Sequence, residues 1–183
     1  MKQASMENRT PLYLVGFRCT GKSTVGKILA DLLGRPFLDT DRMVERKENR
    51  TITQLVHQRG WTCFREMEKQ ALFDTRHFVA PVVATGGGIV LDPENRSFIQ
   101  AQGICVWLWA DAATTLGRIC SDQENQGSRP SLTDLSLAQE TQKMLDLRTP
   151  LYREVSQLQI DTTCHSPKQA ATLIQERYFH VRL

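Results

Sequence analysis

The segment "GFRCTGKST", residues 16–24, constrains the fold of this chain more than any other feature of its sequence. The run before it, "PLYLV", has the length and branched apolar content of a buried strand, and the run after it, "VGKILADLL", repeats apolar residues at helical spacing. The segment is therefore predicted to be the turn between a strand and a helix. It fits the phosphate-loop pattern G-x-x-x-x-G-K-[ST], with Gly16, Gly21, Lys22 and Ser23 in the fixed positions.

This loop pattern predicts the binding of a nucleoside triphosphate. Backbone N–H groups have to surround the phosphates closely, which glycines permit, and the N-terminus of the following helix is directed at the same anion. We expect Lys22 to reach the outer phosphates from a solvated anion site and the Ser23 hydroxyl to ligate Mg²⁺. The alternative, a turn that binds nothing, is disfavoured because the whole pattern is intact between a strand and a helix.

Length and composition are those of an ordinary globular chain. A length of 183 residues suggests one domain, 1–183, with residues 1–10 expected to be flexible. A net charge of +3 with scattered basic residues argues against a nucleic-acid partner. Five cysteines without paired spacing predict reduced thiols. No apolar run suits a signal peptide or a membrane span, so we expect a cytoplasmic protein. We also expect a monomer.

Strand-like runs alternate with helical patterns along the chain. The runs are "LYLV", "PFL", "PVVAT", "ICVWLW" and "LQID". This alternation predicts an α/β fold with a parallel sheet covered by helices on both faces. The polar segment "SDQENQGSRPSLTD", residues 121–134, breaks the alternation, and such a loop is either a lid or a disordered connection. The presence of Arg129 in this segment favours a lid.

Two carboxylates follow the second strand in "FLDTDR". If Asp39 and Asp41 keep strand geometry, both side chains point the same way into the crevice beyond the carboxyl ends of the strands. One carboxylate could then serve Mg²⁺ while the other accepts a proton from an attacking hydroxyl. The alternative is that one of them caps the next helix. Because a cap requires only one aspartate, the pair favours a functional role.

Three further motifs carry residues of interest. "FREME" places Arg65 and Glu68 on one face of a helix, for which a surface ion pair is the ordinary interpretation. "TGGGIV" places three glycines, 86–88, after a buried strand, which favours close approach of the backbone to a ligand. In "LRTPLYRE", Pro150 is expected to separate two helices, and Arg148 is either structural or recognises a carboxylate or phosphate.

Taken in this order, the motifs resemble those of the shikimate kinase family. The resemblance runs from about residue 12 to 178 and rests on the phosphate loop followed by "DTD", "FR..E", "GGG", "RP" and "R.PLY". It implies a P-loop fold similar to nucleoside monophosphate kinases, with three α/β/α layers, a five-stranded parallel sheet and a mobile lid. It also implies transfer of the γ-phosphate of ATP to the 3-hydroxyl of shikimate with Mg²⁺.

The resemblance further implies a role for each motif residue. The nucleotide would be held by the phosphate loop, the lid arginine and the turn "DTTCHSP" beside the adenine: Gly16, Arg18, Cys19, Thr20, Gly21, Lys22, Ser23, Thr24, Arg129, Thr163 and Cys164. Shikimate, with its carboxylate clamped by two arginines, would be held by Asp41, Arg65, Glu68, Gly86, Gly87, Gly88 and Arg148. The metal residues would be Ser23 and Asp39. The catalytic residues would be Lys22, Arg129 and, as candidate base, Asp41.

The sequence departs from the family pattern in three places. Cys19 stands where the family commonly has glycine, and Trp61 stands where it usually has an acidic residue. "SRPSL" replaces a more apolar sequence around the lid arginine. Other readings stay open, namely a gluconate-type or nucleotide kinase on the same scaffold and a catalytically inactive relative. A GTPase-like switch is disfavoured because the chain has neither an N-K-x-D signature nor D-x-x-G after an apolar strand.

Overall fold

The computed structural model describes residues 10–122 and 136–180. Its strands are β1 (Leu12–Val15), β2 (Phe37–Asp39), β3 (Val82–Ala84), β4 (Ile104–Trp109) and β5 (Leu158–Asp161). Its helices are α1 (Lys22–Leu33), α2 (Thr40–Glu48), α3 (Ile52–Asp74), α4 (Pro93–Gln102), α5 (Ala112–Ser121), α6 (Leu137–Val155) and α7 (Pro167–His180). The five strands predicted from the sequence are confirmed. Arg129 and nearly all of the predicted lid lie outside the described residues.

The five strands form one parallel sheet in the order β2-β3-β1-β4-β5. β1 is central, with Leu14 paired to Ala84 of β3 and to Val106 of β4. Since all strands run in the same direction, their carboxyl ends meet at one edge of the sheet. The phosphate loop after β1, the aspartates at the end of β2 and the glycines after β3 therefore lie at that edge, where ligands bind in open α/β sheets.

Helices cover both faces of the sheet, as the alternating sequence pattern predicts. Leu12 and Leu14 pack on one face with residues of α1 and α7, whereas Tyr13 and Val15 pack on the other with residues of α3, α4 and α6. These strand residues are fully buried, which accounts for their nearly continuous apolar sequence. The predicted three-layer α/β/α architecture is confirmed.

A third apolar cluster stabilises the region that follows β2. It joins α2 to α3 through Val44, Leu55 and Phe64, all of which are buried. Within α3, Gly60 has non-helical angles, φ 77° and ψ 169°, and divides the segment into two helices at a kink. The helix after this kink carries Arg65 and Glu68, so the kink sets the direction from which these side chains enter the site.

The expectation that Pro150 separates two helices is wrong. Pro150 lies inside α6, which continues from Leu137 to Val155. Proline inside a helix removes one hydrogen bond and costs roughly 3 kcal/mol. Burial of Tyr152 and Val155 on the sheet offsets that cost, because both side chains pack in the core at the end of the same helix.

Candidate active site

Glycines with positive φ shape the phosphate loop. Gly16 has φ 145°, and a Cβ there would collide with the carbonyl oxygen of Leu108. Gly21 has φ 85° and directly precedes α1. The Thr20 hydroxyl donates to the Phe17 carbonyl at 2.8 Å and holds the loop between the two glycines. The sequence pattern therefore produces the turn that was predicted, with the N-terminus of α1 at its end.

Lys22 holds the loop from inside. Its Nζ donates to the carbonyls of Gly16 at 2.8 Å and Phe17 at 2.6 Å, and the residue is only 8% exposed. The expectation of a solvated lysine is wrong, because the ammonium group is enclosed by its own loop. The lysine thus contributes to the shape of the loop in addition to any contact with phosphate.

Asp39 and Asp41 have different environments. Asp39 ends β2 and caps α2, accepting from the Arg42 backbone N–H at 3.2 Å, and its other oxygen accepts from the Ser23 hydroxyl at 2.6 Å. Asp41 lies in the first turn of α2. The prediction that both keep strand geometry is therefore wrong, since the helix begins between them. Asp39 combines the capping role with the contact to Ser23, while Asp41 lines a cavity that Asp39 does not line.

Ser23 and Asp39 supply oxygen atoms of the kind that Mg²⁺ prefers. Within residues 10–122 and 136–180, no group of three or more His, Cys, Asp or Glu side chains could hold a metal ion. Mg²⁺ in kinases usually has few protein ligands and completes its shell with water and substrate phosphates. A hydroxyl that follows the phosphate loop and a carboxylate at the end of β2, in contact with each other, fit that pattern.

A cavity beside the phosphate loop contains every residue predicted to bind the acceptor except Gly86. It is lined by Phe17, Arg18, Asp41, Ile52, Trp61, Phe64, Arg65, Glu68, Gly87, Gly88 and Arg148. Arg65 Nη1 lies 2.5 Å from Glu68 Oε2, so the predicted ion pair is present. It is not a surface pair, because the Glu68 side chain is only 1% exposed. The Arg65 guanidinium carbon lies 5.3 Å from the Trp61 ring centre and 5.5 Å from that of Phe64.

Arg148 enters the cavity from α6. Its Nη1 donates to the Gly87 carbonyl at 3.1 Å, and the Tyr152 hydroxyl donates to the same oxygen at 2.5 Å. Burial raises the pKa of Tyr152 to about 12, so it is a neutral donor at neutral pH. Arg148 is 6% exposed, and its buried Nε has no hydrogen-bond partner in the described part of the chain.

The three glycines leave room for side chains of the site. A Cβ on Gly86 would lie 2.7 Å from Asp41 Oδ1 and would overlap the Glu68 carboxylate. A Cβ on Gly88 would overlap the Arg65 guanidinium. The groups that closely approach the glycine backbone are thus side chains of the site. The predicted contact of the glycines with a ligand stays a prediction.

The turn after β5 lies next to the phosphate loop. The Thr163 hydroxyl accepts from the Asp111 backbone N–H at 3.1 Å, and Cys164 is exposed. Arg118 connects this turn to the loop, with Nη1 3.1 Å from Thr162 Oγ1 and 3.4 Å from the Cys19 carbonyl oxygen. The sequence analysis did not identify Arg118 as a site residue because it belongs to no motif. The only indication in the sequence was a basic residue near the end of a predicted helix. Thr24 is exposed in the first turn of α1.

Cys19 adopts a backbone conformation that glycine favours. Its φ is 60°, which fits a position where the family commonly has glycine. The thiol donates to Asp122 Oδ2 at 3.6 Å. Burial, followed by the negative charge of Asp122, raises the pKa of Cys19, so the thiol stays protonated. All five cysteines are free, as predicted.

The comparisons with known proteins identify the family. The shikimate kinase family profile matches residues 18–178. The chain belongs to the shikimate kinase family. This family member is 42% identical over 167 residues to shikimate kinase 2 of Shigella dysenteriae serotype 1, covering 90% of this chain and 93% of that protein. Members of the family are ATP-dependent phosphotransferases.

Solved shikimate kinases share the fold of this family member. The enzyme from Acinetobacter baumannii, solved in complex with shikimate, superposes with a TM-score of 0.89 at 35% identity, covering 98% of each chain. The enzyme from Aquifex aeolicus superposes with a TM-score of 0.81 at 28% identity, covering 94% of this chain and 98% of that one. Among the helices in the described ranges, none has the length and apolar composition needed to cross a membrane.

Proposed function

We propose that this family member transfers the γ-phosphate of ATP to the 3-hydroxyl of shikimate, giving shikimate 3-phosphate and ADP. The observation that carries the proposal is the convergence of Arg65, Arg148 and Asp41 on one cavity that Phe17 and Arg18 of the phosphate loop also line. An anionic acceptor bound there would lie next to the loop that holds the nucleotide. Transfer of a phosphoryl group requires this adjacency of donor and acceptor.

Arg65 and Arg148 would hold the carboxylate of shikimate. A planar guanidinium can donate two parallel hydrogen bonds to a carboxylate, which makes arginine suited to this recognition. Each arginine is oriented by the protein before a ligand arrives, Arg65 by Glu68 and two aromatic rings, and Arg148 by the Gly87 carbonyl. This preorganisation lowers the entropic cost of binding.

Asp41 would bind the acceptor hydroxyl and accept its proton. Asp41 belongs to the first turn of α2 and lines the cavity, and its carboxylate and that of the buried Glu68 both lie close to Gly86. Phosphoryl transfer has a loose transition state with little early need for a base. Asp41 would therefore position the hydroxyl first and take its proton as the new oxygen–phosphorus bond forms.

Lys22 and the N-terminus of α1 would stabilise the negative charge of the transferring phosphates. Ser23 and Asp39 would hold Mg²⁺, which neutralises charge on the phosphate oxygens when it is bound. Arg129 lies outside the described residues, and its catalytic role stays a prediction. We also propose a single-domain monomer that acts in the cytoplasm on small molecules and does not bind nucleic acid.

The direct test is an assay with ATP, Mg²⁺ and shikimate, in which ADP release and shikimate 3-phosphate are measured separately. Gluconate and nucleoside monophosphates serve as alternative acceptors. We expect turnover with shikimate only. Turnover with another acceptor would replace the proposed substrate, and nucleotide binding without turnover of any acceptor would identify an inactive relative.

A further inference from the structure

Arg18 belongs to the phosphate loop but lines the acceptor cavity. It occupies the third position of the loop, and it is among the residues that line the cavity, together with Asp41, Arg65 and Arg148. A Cβ placed on Gly87 would lie 3.4 Å from the Arg18 backbone nitrogen, so the two loops are in close contact at this point. Arg18 thus stands at the boundary between the nucleotide and the acceptor.

Arg18 is held at this boundary by a buried carboxylate of α6. Its Nη2 lies 3.5 Å from Glu140 Oε1, and the Glu140 side chain is only 3% exposed. A carboxylate at such a position is costly to bury unless a cation accompanies it. At 3.5 Å the pair is at the long limit of a hydrogen bond, so an anion with better geometry can compete for the guanidinium.

Phe17 places Arg18 close to a second arginine of the cavity. The guanidinium carbon of Arg18 lies 5.8 Å from the Phe17 ring centre, and that of Arg148 lies 5.6 Å from the same centre. Both cations therefore lie within range of one aromatic ring. Two guanidinium groups near one ring, beside the phosphate loop, form an environment for a ligand with more than one negative group.

We propose that Arg18 binds the phosphoryl group as it passes to the acceptor and remains in contact with the phosphate monoester of the product. This inference rests on the proposed function and adds a residue to it. Arg65 and Arg148 are assigned to the carboxylate, so Arg18 is the cavity arginine positioned for the second anionic group. Its contact strengthens as the phosphoryl group leaves the nucleotide, which lowers the barrier and retains the product.

Glu140 is the positioning residue for Arg18. It holds the guanidinium at the cavity wall before the phosphoryl group arrives and competes with the product phosphate afterwards. The two residues therefore have opposite effects on product affinity. Loss of Arg18 weakens product binding, whereas loss of the Glu140 charge strengthens it.

The test compares Arg18→Gln, Glu140→Gln and the double variant with wild type. The matched control is Glu154→Gln. Glu154 lies on α6, like Glu140, but its ion pair of 3.1 Å is with Arg96, and neither residue lines the cavity. The measurements are kcat, both KM values, the inhibition constant of shikimate 3-phosphate and the melting temperature. A hydrogen bond between arginine and a charged group is typically strong enough that its loss in the transition state costs about 10-fold in rate or more. We therefore expect Arg18→Gln to lower kcat by about that factor.

The product inhibition constant decides between the outcomes. We expect it to rise about 10-fold in Arg18→Gln, to fall in Glu140→Gln and to stay unchanged in Glu154→Gln. In the double variant the Glu140 effect should disappear. If the constant moves in the same direction in both single variants, or only the ATP KM changes, the proposal is wrong. If Glu140→Gln does not fold, Glu140→Asp replaces it: the shorter side chain weakens the ion pair with Arg18, so the product inhibition constant should still fall, and a rise would contradict the proposal. Inactive wild type would instead refute the proposed function.

Discussion

Replacement of Gly86 by alanine should disrupt the acceptor site through one methyl group. The added Cβ would lie 2.7 Å from Asp41 Oδ1 and would overlap the Glu68 carboxylate. Ordinary contact begins at 3.4 Å, so the Asp41 oxygen would have to withdraw by about 0.7 Å. Glu68 would also have to move, and with it the guanidinium of Arg65 that it holds.

The size of the effect follows from these displacements. Overpacking in a closely packed region typically costs about 1–3 kcal/mol of stability. A misplacement of about 1 Å in a reacting group can cost 10²-fold in rate, so a shift of about 0.7 Å in Asp41 corresponds to a roughly 10- to 100-fold loss of kcat/KM for shikimate. The nucleotide contacts lie on other residues, so the ATP KM should change little.

Gly87→Ala is the matched control for this prediction. The nearest atoms to a Cβ at Gly87 lie at 3.4, 3.5 and 3.7 Å, which is ordinary contact. We expect a clearly smaller loss of both melting temperature and kcat/KM than for Gly86→Ala. Thermal unfolding and steady-state kinetics measure the two quantities. Equal behaviour of the two variants would show that Asp41 and Glu68 do not require the space beside Gly86.

Four further substitutions test other parts of the site. Asp41→Asn should lower kcat by about 10²- to 10⁴-fold without rescue by Mg²⁺, whereas Asp39→Asn should be partly rescued by raised Mg²⁺ in the same assay; a loss within about threefold for Asp41→Asn would remove the base. Arg148→Lys should raise the shikimate KM much more than the ATP KM, because the fork becomes a point charge; equal changes would indicate a structural role. Tyr152 has its pKa raised from 10.0 to about 12 by burial, so its share of stability is present below pH 10 and is lost as pH rises towards 12. Wild type should therefore lose about 2 kcal/mol more than Tyr152→Phe between pH 10 and pH 12, measured by urea unfolding; parallel curves would contradict this assignment.

The fold was predictable because its signals are local and repeated. Each of the five apolar runs is a strand, and the phosphate loop fixed the first strand, the first helix and the turn between them. The strand order was not readable from any single run, since it depends on which strands pair over long separations. The position of Pro150 inside α6 was missed because packing on the sheet offset a strong local preference.

The sequence predicted which residues form most of the site but not how buried they are or which groups surround them. The spacing of Arg65 and Glu68 indicated an ion pair, yet only the folded chain shows that Glu68 is buried in a cavity. Glu140 carried no signal at all, because its importance comes from Arg18, which is 122 residues away in sequence. Asp39 and Asp41 were predicted to lie in one strand. Because α2 begins between them, their carboxylates lie in different environments.

Two hydrogen bonds from Lys22 to its own loop affect how a measured nucleotide affinity has to be interpreted. The ammonium group donates to the carbonyls of Gly16 and Phe17. Contact of Lys22 with ATP is therefore an exchange of acceptors, and the observed affinity is the difference between phosphate oxygens and these carbonyls. A neutral replacement of Lys22 would alter the loop itself as well as its complex with ATP. Calorimetry on such a variant would consequently report the reorganisation of the loop together with the lost phosphate contact.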